Sequence, residues 1–198
     1  MARAKQAEFA RCSWATRSPL EEIYHDREWG VPQHDDRALF EFLILEGAQA
    51  GLSWSTVLAK RENYRAAFDQ FDVEKIARYS DVRLEKLLLN PGIIRNRLKV
   101  WSTRTNAQAF IRIQQEFGSF DAYLWSFVNG KPVINHCKAM KDVPPRTEIS
   151  DHLSKDLLKR GFKFVGSTIM YAYMQATGMV NDHLTSCPRH APLSKKSS

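Results

Sequence analysis

The run FEFLILEGAQAGLSW, Phe40 to Trp54, constrains the fold more than any other stretch of this chain. Leu39, Phe40, Leu43 and Ile44 recur at helical spacing behind Asp35 and Asp36, either of which can cap the first turn, and Gly47 and Gly51 mark the end. On such a helix Glu46 lies beneath Leu43, Phe42 and Leu39, on the side that reads as buried. A buried carboxylate without partners is costly, because water solvates the charged form far better than protein does. Either a partner is built in, or Glu46 waits for a cationic or hydrogen-bonding guest.

The same period runs through the rest of the sequence, and the fold class it predicts is all-α. Ser53 or Ser55 is placed to open the next helix, with Val57, Leu58, Tyr64 and Phe68 along one side. Ser80 starts a short helix carrying Leu84, Leu87 and Leu88, which Asn90-Pro91-Gly92 breaks. Ile94, Leu98, Trp101, Phe110 and Ile113 lie along a longer one, and FDAYLWSFV forms another, capped by Ser119 or Asp121. Residues 129–147, with Pro132, Pro144 and Pro145, read as loop. Ser150 is expected to open a helix through Leu153, Leu157 and Leu158 that stops at Gly161, and Ser167 the last one, ending at Gly178. Neither an internal repeat nor a run of alternating strands is visible. With 198 residues, 43% of them hydrophobic and 26% charged, a single domain over 1–198 has material for a core, with about 1–10 and 190–198 as flexible tails.

The formal charge of +7 favours polyanions such as nucleic acid through counterion release, although a basic surface also serves solubility alone. Three cysteines are too few and too scattered for a disulfide framework, and their odd number points to a reducing compartment. The basic N-terminus lacks the apolar stretch of a signal peptide, and no window is long enough to cross a bilayer. The expected location is therefore the cytoplasm, or the nucleus in a eukaryote.

Three groups of residues carry chemistry. Cys12 and His25 lie near one end of the chain, and His183 and Cys187 form H-x3-C near the other. Two thiolates and two imidazoles make a closed tetrahedral site for one structural Zn2+, tying the ends together and leaving no position for water. The alternative is two buried cysteines and two unrelated histidines; Cys137, beside His136, reads as a bystander. Trp14, Tyr24, Trp29 and Trp54 sit in turn-like sequence near these residues or near Glu46, whereas Trp101 and Trp125 keep helical spacing and read as core. Aromatic faces beside a buried carboxylate make a slot for a flat cation such as a positively charged nucleobase. Finally, LLLNPGIIRNRLK, Leu87 to Lys99, sets a tight turn before a helix opened by Arg95, Arg97 and Lys99. It offers N–H groups and cations to a phosphate, or it is an ordinary helix–turn–helix corner with a solvated basic face.

RCSW, YHDREWGVP, LEGAQAGLSW, RENYRAAF, GIIRNR, LWSFVN, LKRGFKFVG and GMVNDH with its following cysteine occur in that order from about Arg11 to Cys187. Together they resemble the 3-methyladenine DNA glycosylase I family. The resemblance implies a helix-hairpin-helix glycosylase fold, with the hairpin at GIIRNRLK and Gly92, Arg95 and Arg97 on DNA. It implies that Glu46 reads the damaged base, that Tyr24 and Trp54 stack on or flank it, and that Trp29 forms part of the wall. Gly51 and Leu52, at the AGLSW turn, would meet the duplex, Leu52 filling the gap left by the extruded nucleotide. Cys12, His25, His183 and Cys187 would hold the Zn2+. The implied reaction is monofunctional excision of 3-methyladenine, with other N3-alkylated purines as further candidate substrates, from alkylated double-stranded DNA, leaving an abasic site. The enzyme would act as a monomer without an obligate protein partner or a membrane. Flipping the nucleotide costs a few kcal/mol, less for a damaged base. N3-methylation leaves adenine cationic, so its glycosidic bond is already weak.

Two departures stand out. No Asp lies between Gly92 and Asp121, where many helix-hairpin-helix glycosylases carry a water-activating base. PLEEIYHD puts Glu21 where the family often has a tyrosine, leaving the substrate range more open than the reaction type. The competing readings are a zinc-stapled domain that binds DNA without cutting it and a small-molecule zinc hydrolase with Glu46 as general base. A purely structural domain leaves Glu46 unexplained.

Overall fold

The computed structural model of the chain describes residues 10–195. Helices α1 (Pro19–Arg27), α2 (Asp36–Gln49), α3 (Trp54–Leu58), α4 (Arg61–Ala67), α5 (Val73–Ala77), α6 (Asp81–Leu87), α7 (Arg97–Phe117) and α8 (Phe120–Ser126) lead to a short strand, β1 (Val133–Ile134). Then come α9 (Glu148–Lys159), α10 (Ser167–Ala176), β2 (Val180–Asn181) and α11 (His190–Lys195). The two strands pair in parallel, Val133 against Val180, and are the only departure from helix and loop among the described residues. None of the described helices is long and apolar enough to cross a membrane.

Helix α2 forms the centre, packed against α3, α7, α8 and α10. It is buried all round from Leu39 to Ala48, so both glutamates within that span, Glu41 and Glu46, are enclosed. Side chains start the helices where hydroxyls and carboxylates can take up free N–H groups. Asp35 caps α2, Ser53 caps α3, Ser80 caps α6 and Ser119 caps α8.

Several boundaries differ from expectation, most of them for a tertiary reason. The helix expected from Ser53 through Phe68 is two, α3 and α4. Lys60 leaves the helical region between them (φ −103°, ψ 0°), and its Nζ donates to Pro91 O at 2.9 Å. The long helix begins at Arg97, with Asn96 as its cap, so Ile94 lies outside it and its N–H donates instead to Tyr64 Oη. Leu98 points outward, 71% exposed, and Trp101 is half-buried between the guanidinium groups of Arg97 and Arg104 rather than in the core. Helix α9 starts three residues early at a capping box of Thr147 and Ser150, and Leu158 is exposed. Residues 190–195, expected as tail, form α11, with His190 and Leu193 buried; His190 Nε2 lies 2.8 Å from Asn135 O. The expected tail at 1–9, and residues 196–198, lie outside the described residues.

Two glycines bring the chain ends together. Gly178 has φ +72°, and a Cβ there would lie 2.4 Å from Val31 C and Pro32 N, so only glycine lets these backbones meet. At Gly30 (φ +76°) a Cβ would press on the His183 ring at 3.1 Å.

Candidate active site and metal centre

A cavity of about 480 Å³ opens between α1, α2, α3, α10 and the loop at Met140–Pro145. Trp14, Tyr24, Trp29 and Trp54 supply its aromatic wall, and Glu46 faces it from α2. The Tyr24 and Trp54 rings lie 5.1 Å apart, and those of Trp14 and Trp29 5.0 Å apart. Glu46 is 4% exposed and has no hydrogen-bond or ion partner among the described residues; burial alone pushes its carboxyl up to about 8. Tyr24 Oη and Trp54 Nε1 are also buried without partners. Burial, and then the nearby Glu46, drive the Tyr24 hydroxyl far above its ordinary value. Of the two possibilities for Glu46, a built-in partner is thus excluded within the described chain. The Glu46 carboxyl faces the cavity without a protein partner, and the two orphaned groups, Tyr24 Oη and Trp54 Nε1, each cost about 1–3 kcal/mol.

Other wall residues were not singled out in the sequence. Met140, Val143, Pro144 and Pro145 close one side. Their only signal was a proline-bearing loop too long to be a simple connection. Tyr171 and Gln175, on the apolar α10, both line the cavity and both donate to the buried Asp182 at 2.7 Å. Glu21, whose orientation sequence left open, is buried on the same wall.

Behind Trp14 and Trp29, the four cysteine and histidine ligand candidates come together. One ligand atom from each of Cys12, His25, His183 and Cys187 falls within 4.8 Å of every other, and all four residues are buried. His183 Nδ1 is 3.5 Å from Cys187 Sγ and 3.9 Å from Cys12 Sγ, and His25 Nε2 is 3.6 Å from Cys187 Sγ. A tetrahedral ion bound at about 2.0–2.3 Å has ligand edges of about 3.3–3.8 Å; the three distances above fall in or just beyond that range and every pair lies within 4.8 Å, so the donor set is one that could hold such a metal ion. The outward ring nitrogens are also placed as a metal site needs: His25 Nδ1 is 2.8 Å from Asp26 Oδ1 and His183 Nε2 3.0 Å from Trp29 O. Contacts with Cys12, His183 and His25 pull the Cys187 thiol well below its ordinary value. Cys137 lies apart from the cluster.

At the segment read as the hairpin, α6 is followed by a turn over 90–96 and then by α7. Asn90 Oδ1 accepts the Gly92 N–H at 2.8 Å, and Gly92 packs so closely on Asn63 that a Cβ would lie 3.0 Å from it. Arg95 and Arg97 are both exposed, and of the three cations read there Arg95 alone makes no side-chain bond among the described residues. Arg97 pairs with Glu85 at 2.6 Å and covers Trp101. Lys99, expected to face phosphate, turns inward instead. Its Nζ donates to Ala48 O at 2.8 Å and Ala50 O at 2.6 Å, where the negative end of α2 attracts a cation. That bond anchors the turn after α2, where Gly51 has φ +77° and Leu52 stands 42% exposed.

The methyladenine glycosylase family model matches residues 14–190. DNA-3-methyladenine glycosylase 1 of Escherichia coli (strain K12) is 50% identical over 177 residues, 89% of this chain and 95% of that protein. A crystal structure of 3-methyladenine DNA glycosylase I aligns with a TM-score of 0.89 at 52% identity, covering 91% of this chain and 100% of the other. The 3-methyladenine DNA glycosylase I of Staphylococcus aureus, in a structure concerned with 3-methyladenine recognition, gives a TM-score of 0.88 at 38% identity over 90% of this chain and 95% of its own.

Proposed function

The chain belongs to the methyladenine glycosylase family, and from that premise we propose how its residues excise 3-methyladenine from alkylated DNA. The reaction is hydrolysis of the N-glycosidic bond in base excision repair. Water supplies the oxygen that C1′ of the sugar gains and releases a proton. The base departs with the electron pair of the broken bond, which neutralises its positive charge, so no acid need protonate it.

The observation that carries the assignment of roles is the partnerless carboxylate in an aromatic cavity. Glu46 accepts from the hydrogen-bond donors of the methylated base and offsets its charge. Tyr24 and Trp54 stack on or flank the ring, and Trp29 completes the wall. In this dry slot the pairing of Glu46 with a cation is much stronger than in water. Neutral adenine offers no charge to offset the cost of ionising Glu46. The exposed Arg95 guanidinium, presented by the tight turn at Gly92, holds phosphate in the manner of a helix-hairpin-helix motif, and Leu52, on its anchored turn beside Gly51, fills the vacated stack. Among the described residues no lysine lines the cavity, which supports base removal without strand cleavage. The chain acts as a monomer on duplex DNA.

Cys12, His25, His183 and Cys187 hold one Zn2+, which supplies a structural cross-link and compensates the two thiolates. Four protein ligands close the site to substrate, so Trp14 and Trp29 resting on it gain rigidity and the metal takes no part in the reaction.

Chromatography of bases released from methylated duplex DNA tests the reading. Wild type is expected to release 3-methyladenine, with a loss of 100-fold or more in Glu46→Gln. Equal release by both would reduce Glu46 to a structural residue, and no release by folded protein would leave a DNA-binding module.

A further inference from the structure

The cavity wall carries a second carboxylate that the roles above leave unused. Glu21 stands in the first turn of α1, 2% exposed, on the same cavity as Glu46. Its oxygens accept hydrogen bonds from Ser55 Oγ at 2.7 Å and Ser18 Oγ at 3.3 Å, and no arginine, lysine or histidine pairs with it among the described residues. Among the described residues the only basic side chain on the wall, Arg17, is exposed. We propose that Glu21 is a specificity-determining residue, whose carboxylate joins that of Glu46 in favouring bases with a positively charged ring over neutral ones of the same shape.

Position and chemistry both support this. Glu21 and Tyr24 are three residues apart on α1 and share a face. Ser55, which holds Glu21, follows Trp54, and the Tyr24 and Trp54 rings meet at 5.1 Å. The second carboxylate is thus fixed beside the proposed base-stacking pair. Two hydroxyl groups hold a carboxylate in place but bring no positive charge, so the field of Glu21 is left for whatever occupies the cavity. A neutral occupant gains little from that field and a cation gains much, which is how a site discriminates between ligands of one shape. A mere tie between α1 and α3 would affect both ligands alike.

The inference rests on the cavity being the base pocket, and ligand binding tests the two separately. Tryptophan fluorescence of the full, zinc-loaded chain would be titrated with 3,9-dimethyladeninium, a permanent cation, and with 3-methyladenine at a pH where it is neutral. Glu21→Gln is expected to weaken the cation about tenfold and to leave the neutral base within about twofold. Glu21→Asp, which keeps the charge, should retain most of the preference, and Ser55→Ala should shift both ligands by one small factor. Equal weakening of both ligands by Glu21→Gln, no change in either, or the same loss of preference in Glu21→Asp would overturn the proposal. Failure of wild type to bind either base would overturn the pocket assignment itself.

Discussion

Five residues apart on one helix, Glu41 and Glu46 meet the same physical problem and receive opposite answers. Glu41 is 8% exposed and bonded by the guanidinium groups of Arg61 and Arg65, and Arg61 also reaches Glu28 at 2.6 Å. Its charge is compensated as the chain folds. Glu46, at 4% exposed, is given nothing. The cluster of Cys12, His25, His183 and Cys187 behind Trp29 joins Glu41 under the proposed function, where a structural metal ion would compensate its thiolates. The contrast separates charge buried for structure from charge buried for a guest. Burial alone does not distinguish the two; the presence or absence of a partner does.

The cysteine–histidine cluster should give the largest effect if it holds zinc as proposed and shares the structural role of Glu41. Cys187→Ser, or stripping with a strong chelator, is expected to lower the melting temperature by about 10 °C or more, with one bound zinc per chain lost by atomic absorption. An unchanged melt would place the cluster outside the stabilising set. Next comes Glu41→Gln, which strands the buried Arg61 charge and should destabilise the fold by about 3–5 kcal/mol in urea titration. A loss below about 1 kcal/mol would show that Glu28 suffices for Arg61.

Glu46→Gln should change stability in the other direction. Between its unfolded value near 4.5 and its folded value of about 8, the native state holds a proton that the unfolded chain has released. Stability therefore falls as pH rises through that window, and the variant escapes the fall. Its advantage over wild type should be small at pH 5 and grow to about 4 kcal/mol by pH 9. The same advantage at both pH values would mean that Glu46 has a compensating partner after all. Smallest is Lys99→Met, which frees the carbonyls of Ala48 and Ala50 and should cost about 1 kcal/mol, with a several-fold loss of excision as the Leu52 turn loosens. Excision unchanged by a destabilising Lys99→Met would separate that turn from the DNA.

Much of this contrast was legible in the sequence, because helical period and capping residues are local. Asp35, Ser53, Ser80 and Ser119 start their helices as read, and Glu46 was conspicuous as the polar residue on a buried face. Glu41 was not noticed, since its identity as a satisfied charge depends on arginines twenty and more residues away. Long-range bonds also account for the other differences. Lys99 reads as a phosphate-facing cation by position, but carbonyls some fifty residues earlier claim it. Lys60 breaks a helix by reaching Pro91, and α11 is held by β2 and Asn135. The loop wall at Met140–Pro145 has no periodicity to reveal which surface it covers. The candidate metal ligands could be paired by spacing only at His183 and Cys187; bringing Cys12 and His25 to them required the fold.

The most direct test of the central claim is titration of the Glu46 side chain, followed by NMR of the 13C-labelled carboxyl with and without 3-methyladenine. The free protein should titrate near 8, and the bound protein well below 7, as the base stabilises the carboxylate. A midpoint near the ordinary glutamate value in the free protein, or one that the base leaves unmoved, would contradict the account.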